Sequence, residues 1–223
     1  MSSFDADKYN KIALYYQELG EKKLLKDSLS IFSVNKKVYL YYSRIRNIPI
    51  CTLPNFKIIL ASRIGFLSFC YNFFTFINVD KNVIPINSTN IKSIATFVLS
   101  HEVGHILDPD ISNSKDEYSE ILSDIVDKLI EYDIDINNTD FYKSNLPYDL
   151  ENCVIRLKKN LIDRESKAWE IARDFLIFNN EEETLIFNKM KQYALATYNF
   201  GNLKNIVKEH NIDVFFKYKR YLK

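Results

Sequence analysis

The sequence predicts an α+β fold, with a small sheet confined to one stretch and helices on either side of it. Three observations carry this. Apolar residues recur at helical spacing near the N-terminus, short β-branched and aromatic runs are restricted to residues 37–87, and helical periodicity returns for the rest of the chain. With 223 residues, 47% of them hydrophobic, the chain suits one domain with a substantial core. Its 30 Lys and Arg against 29 Asp and Glu leave a net charge of +1. No global charge therefore points to nucleic acid or an anionic membrane as partner. Only 4 Gly and 5 Pro are present, too few for a Gly-rich phosphate-loop architecture or a long flexible linker.

Taken in order, residues 5–26 read as a helix, with Ile12, Leu14, Tyr15, Leu19, Leu24 and Leu25 at helical spacing between Lys and Glu. The runs 38–42, 56–61, 66–71, 73–79 and 83–86 then alternate with Pro49, Pro54, Gly65 and the turn-like Asp80-Lys81-Asn82. They predict a mixed sheet of three to five strands. Asn87-Ser88-Thr89-Asn90 offers N-cap chemistry, apolar spacing continues a helix to about Leu107, and Pro109 stops it. Residues 116–132 place Ile121, Leu122, Ile125, Val126, Leu129 and Ile130 on one helix face, with Glu120, Asp124, Asp127 and Glu131 opposite. Helices over about 150–178, 181–200 and 203–222 complete the chain. As one domain over 1–223, residues 1–88 hold the N-terminal helix and sheet, and 89–223 hold the motif helix and a helical C-terminal part.

The first residues show no basic segment leading into an apolar stretch. The longest apolar passage, 65–79, is broken by Ser68, Asn72, Thr75 and Asn78, too short and too polar to span a bilayer. Cys51, Cys70 and Cys153 are widely spaced without a C-x-x-C pair, which suits free thiols rather than a disulfide framework or a thiolate zinc site. A cytoplasmic protein with no membrane partner is the expectation. Export by a route that needs no N-terminal signal would leave the same sequence.

His101-Glu102-Val103-Gly104-His105 matches H-E-x-x-H in the last turns of the helix predicted to end at Leu107. Four residues advance a helix a little more than one turn, so both imidazoles leave the same face and can reach one metal ion. Glu102 is near enough to address a water on that metal without ligating it. Neutral imidazole suits Zn2+, and a carboxylate beside an activated water suits a general base. From the chain's own His and Glu frequencies a chance match has a probability of roughly 0.2%. Gly104 costs helix stability and calls for a packing reason, the close approach of another element.

A catalytic zinc takes a third protein ligand and leaves one position open. In the extended H-E-x-x-H-x-x-G-x-x-H pattern that ligand is histidine, but Asp108 and Ile111 stand at the downstream positions here. The remaining histidine, His210, lies far along the chain, so a carboxylate from another helix is expected. Glu120 and Asp124 lie on the next, acidic helix. Glu165 shares helical spacing with Ala168 and Ala172, which puts a carboxylate and two small residues on one face able to pack closely against the motif helix. Glu170 would serve if that helix were rotated. Tyr193, Tyr198 and His210 are candidates for a hydrogen bond to a reacting oxyanion. The acidic stretch 108–140 reads as a solvated face or an anionic rim for basic substrates, and the basic stretch after Gly201 as a surface helix.

The segment 87–108, with HEVGHILD, resembles the core of zincin metallopeptidases, particularly the small cytosolic ImmA/IrrE-like proteins of bacteria and mobile elements. The E-x-x-A pattern from Glu165 to Ala168 is similar to the ligand helix of those and related gluzincins. Asp124 falls at a spacing that resembles the ligand position of some aminopeptidases, which use Glu there. The ImmA/IrrE-like resemblance implies a zincin-like fold and Zn2+ as cofactor, held by His101, His105 and Glu165 with Glu102 as base. This chain departs from the pattern in its additional acidic helix before the ligand helix, and in Trp169, where such families often carry a short polar residue.

The expected activity is that of a zinc-dependent metalloendopeptidase acting on a protein or peptide substrate, with no nucleic-acid partner. Residues 73–86 would supply an edge strand for the substrate backbone. The alternatives are a regulatory or binding protein that keeps the scaffold with little turnover, and a metalloprotease effector or toxin acting on a host or partner protein.

Overall fold

The computed structural model describes residues 4–32, 37–77, 84–138, 145–199, 203–210 and 212. They form a mixed, mostly helical α+β structure. In order come α1 (Ala6–Glu18), α2 (Glu21–Ser30), β1 (Tyr39–Ser43), β2 (Cys51–Leu53), a 3-10 turn (Pro54–Phe56), β3 (Ile58–Ser62), α3 (Arg63–Ile77) and α4 (Ser88–Leu107). Then follow α5 (Ile111–Glu131), α6 (Tyr148–Asp174), α7 (Glu181–Asn199) and α8 (Leu203–Glu209). The chain divides into two compact units, Met1–Asp108 with Ser166–Tyr193, and Pro109–Glu165 with Ala194–Lys223. No helix among the described residues is long and apolar enough to cross a membrane.

In the first unit the helix expected over 5–26 is two helices. Asp5 caps α1 by accepting from the Lys8 N–H at 3.0 Å, and Gly20, at φ 78°, takes the left-handed turn that starts α2. Glu21 follows and is almost buried. Its carboxylate accepts from Tyr42 Oη at 3.0 Å and from Arg63 Nε at 2.8 Å, tying α2 to β1 and to the start of α3.

The sheet has three strands in the order β1-β3-β2, with β1 parallel and β2 antiparallel to β3. Strand β2 sits between Pro49 and Pro54, where the sequence reads only as a break. The strands expected over 66–71 and 73–79 are instead helix as far as Ile77. Gly65, Phe66, Leu67, Cys70, Phe73, Phe74 and Ile77 are all buried, so no polar face discloses the helical period, while the aromatic composition favours strand. Ser62 Oγ accepts from the Gly65 N–H at 2.9 Å and caps this helix. Of the expected strand over 83–86, Ile84, Pro85 and Ile86 have no regular structure, and residues 78–83 lie outside the described residues.

Helix α4 forms where its local signals place it. Asn87 Oδ1 accepts from the Asn90 N–H at 2.8 Å, and the backbone turns extended at Asp108, ahead of Pro109. Nearly every residue from Asn90 to Ile106 is buried, because α4 packs on α1, α2, β2 and β3. It is the central element of this unit.

The second unit has its own core. Ile121, Ile125 and Leu129 of α5 meet Leu150 and Leu157 of α6 and Ile206 of α8, which leaves the acidic face of α5 to solvent as its period requires. Of the helix expected over 203–222, α8 covers the first part, and residues from 213 onward lie outside the described residues.

Candidate metal centre

The candidate site stands on the last two turns of α4. His101, Glu102 and His105 are 6%, 6% and 7% exposed. Burying three groups of this kind in an apolar helix is costly unless each meets a partner, so their clustering calls for a chemical account. The two imidazoles, four residues apart on one face, have ring centroids 4.6 Å apart and stand edge to face at 70°.

A second helix closes on this face, and Gly104 is the reason it can. A Cβ built on Gly104 would fall on the Ala168 carbonyl oxygen and lie 3.1 Å from the Ala168 Cα. Only a residue without a side chain lets the α6 backbone come this near. Ala168 and Ala172 are both fully buried. Glu165 lies one turn before Ala168 on the same unbroken helix; the division between the two units falls between Glu165 and Ser166.

His101, His105 and Glu165 each offer one ligand atom, and these atoms lie within 4.8 Å of one another, all on buried residues. Among the described residues no other set of three His, Cys, Asp or Glu is gathered this way. A tetrahedral ion with bonds of about 2.1 Å holds its ligands about 3.4 Å apart, so side-chain rotations of modest size would close the group around one. Two imidazole nitrogens and a carboxylate oxygen, with one position left over, fit the donor set of a catalytic zinc site. The buried group can hold a metal ion.

The other carboxylates weighed as third ligands are not part of this group. Asp124 pairs with Arg156 Nη1 at 3.0 Å, both side chains about half exposed. Glu170 accepts from Ser166 Oγ at 3.1 Å and pairs with Lys191 at 3.5 Å. Glu120 is exposed on α5. Of the oxyanion candidates, His210 has its Nδ1 2.7 Å from Tyr118 Oη. Tyr193 lies in an aromatic cluster with Phe69, Phe73 and Phe76, and burial raises the pKa of its phenol. Tyr198 packs on the core of the second unit.

Two residues join the site that motif reasoning does not place there. Trp169 lies with its indole parallel to the His101 imidazole, centroids 4.4 Å apart at 18°. Its position four residues after Glu165, one turn along the same helix face, is a sequence signal that could have found it. Cys51 on β2 has its thiol pKa raised, first by burial and then by the negative charge of Glu102 beside it. Nothing in the sequence announces that neighbour, because it depends on β2 packing on α4. No family model, curated protein or solved structure matches the chain.

Proposed function

We propose that the chain is a zinc-dependent metalloendopeptidase on a zincin-like scaffold, acting on a protein or peptide substrate. The observation that carries this reading is the buried group of His101, His105 and Glu165 with Glu102 in the same turn of α4. When bound, Zn2+ would supply Lewis acidity toward a carbonyl oxygen and bring the pKa of water down to about 7. His101, His105 and Glu165 would hold the ion; Glu102 would move the proton.

As water adds to the scissile carbonyl carbon, the Glu102 carboxylate takes up its proton. As the C–N bond breaks, the same group returns that proton to the leaving amine nitrogen. Its burial supports this role, because a carboxylate screened from bulk water exchanges a proton with the substrate rather than with solvent. Strand β2 packs on α4, and among the described residues no strand pairs with its outer edge. An extended substrate segment could add there by backbone hydrogen bonds; the edge strand was expected from residues 73–86, but 73–77 belong to helix α3 and 84–86 have no regular structure.

Replacing Glu102 by Gln keeps the shape and removes the base. Zinc content should stay near that of the wild type, while cleavage of a peptide library falls by about 10²- to 10⁴-fold. Full activity in Glu102→Gln overturns the mechanism. A wild-type protein that takes up zinc and cleaves no peptide points to the contact-only regulator.

A further inference from the structure

Resting on the metal-site reading above, we propose that Trp169 is a positioning residue for the metal centre, setting the plane in which His101 offers its lone pair. The indole lies against the His101 imidazole, centroids 4.4 Å apart and planes 18° from parallel. Phe187 meets the indole edge-on, centroids 5.2 Å apart at 78°, and holds it from another side. Trp169 is 1% exposed, so it has no room to swing away.

The indole orientation is set by packing. No described residue accepts a hydrogen bond from its Nε1–H, so stacking against one ring and the edge contact with the other define it. A buried aromatic whose only need was volume would gain from an acceptor or from the absence of the N–H. Trp169 instead stacks its ring against the His101 imidazole.

The consequence for His101 follows from ligand geometry. An imidazole binds a metal along the lone pair in its own plane, so rotation about χ2 swings the nitrogen away from the ion. Orienting partners of ligand histidines are typically worth 10- to 100-fold in metal affinity. The indole face supplies that restraint by contact, and its electron-rich surface suits a ring that gives electron density to a cation.

The role predicts a difference between two hydrophobic replacements. Phe keeps a flat ring beside His101, whereas Leu keeps buried volume and loses the flat face. Zinc affinity would be measured by competition with a chromophoric chelator for wild type, Trp169→Phe and Trp169→Leu, alongside thermal unfolding of each metal-free protein. Trp169→Phe should stay within about threefold of wild type, and Trp169→Leu should lose about 10- to 100-fold even where its unfolding temperature matches that of Trp169→Phe. Equal affinities for Leu and wild type, or equal losses for Phe and Leu, overturn the proposal.

Since the chain holds a single tryptophan, wild-type emission gives a second measurement that needs no Trp169 variant. Titration with Co2+ should quench it saturably at one ion per chain, and His101→Ala should abolish the quench. Stoichiometric Co2+ uptake without quenching overturns the stacked arrangement while leaving the metal site standing. A wild-type protein that takes up neither Zn2+ nor Co2+ overturns both.

Discussion

Replacing Gly104 by Ala tests the step on which the site geometry depends, the approach of α6 to α4. The new methyl group would overlap the Ala168 carbonyl oxygen and lie 2.9 Å from its carbon. These are backbone atoms in mid-helix, so no side chain can rotate to relieve the contact. The α6 backbone must retreat by about 1 Å to restore ordinary packing, and close-packed interiors resist this. Overpacking of this kind costs about 3 kcal/mol at its upper end, and better helix propensity returns about 1 kcal/mol. The net loss of about 2 kcal/mol lowers the unfolding temperature by about 4–8 °C for a chain of this size.

The same retreat carries Glu165, one turn away on α6, away from the imidazoles, so zinc affinity should fall by at least the about tenfold typical of a lost orienting contact. Thermal unfolding without metal and chelator competition for zinc measure the two effects separately. A Gly104→Ala protein with unchanged unfolding temperature and unchanged zinc affinity would refute the close approach as the device that assembles the site.

Glu165→Gln should lose zinc while Asp124→Asn retains it, since Asp124 pairs with Arg156 instead; metal analysis after dialysis decides. In the metal-free protein, Cys51 should be alkylated slowly at neutral pH and faster as pH rises, because burial and then Glu102 hold its thiol pKa up. Removing that negative charge in Glu102→Gln should lower the Cys51 pKa and speed its alkylation at a given pH, read by mass spectrometry; a rate that does not change would place Cys51 away from Glu102. Asn87→Ala deletes the cap on the α4 N-terminus, and urea unfolding should show a loss of about 1 kcal/mol.

Helix α4 was legible because its signals are local. A capping Asn87, apolar spacing and Pro109 lie within the segment they delimit, and the H-E-x-x-H register follows from helical geometry alone. Helix α3 was not legible, since a helix buried on most sides has no polar stripe and its Phe-rich composition mimics a strand. Strand β2 was hidden for the converse reason: three residues between prolines carry no period, and only pairing with β3 makes them a strand.

The candidate site divides along the same line. From sequence alone, two imidazoles had to share a helix face, the only other histidine was remote along the chain, and a carboxylate was the expected third ligand. Which carboxylate is a question about distances between segments some sixty residues apart, and periodicity along one helix does not contain them. The fold gathers Glu165 with the two histidines through one contact. The bare Cα of Gly104 lets the Ala168 backbone in, and with it come Glu165 to the histidines and Trp169 to the face of His101.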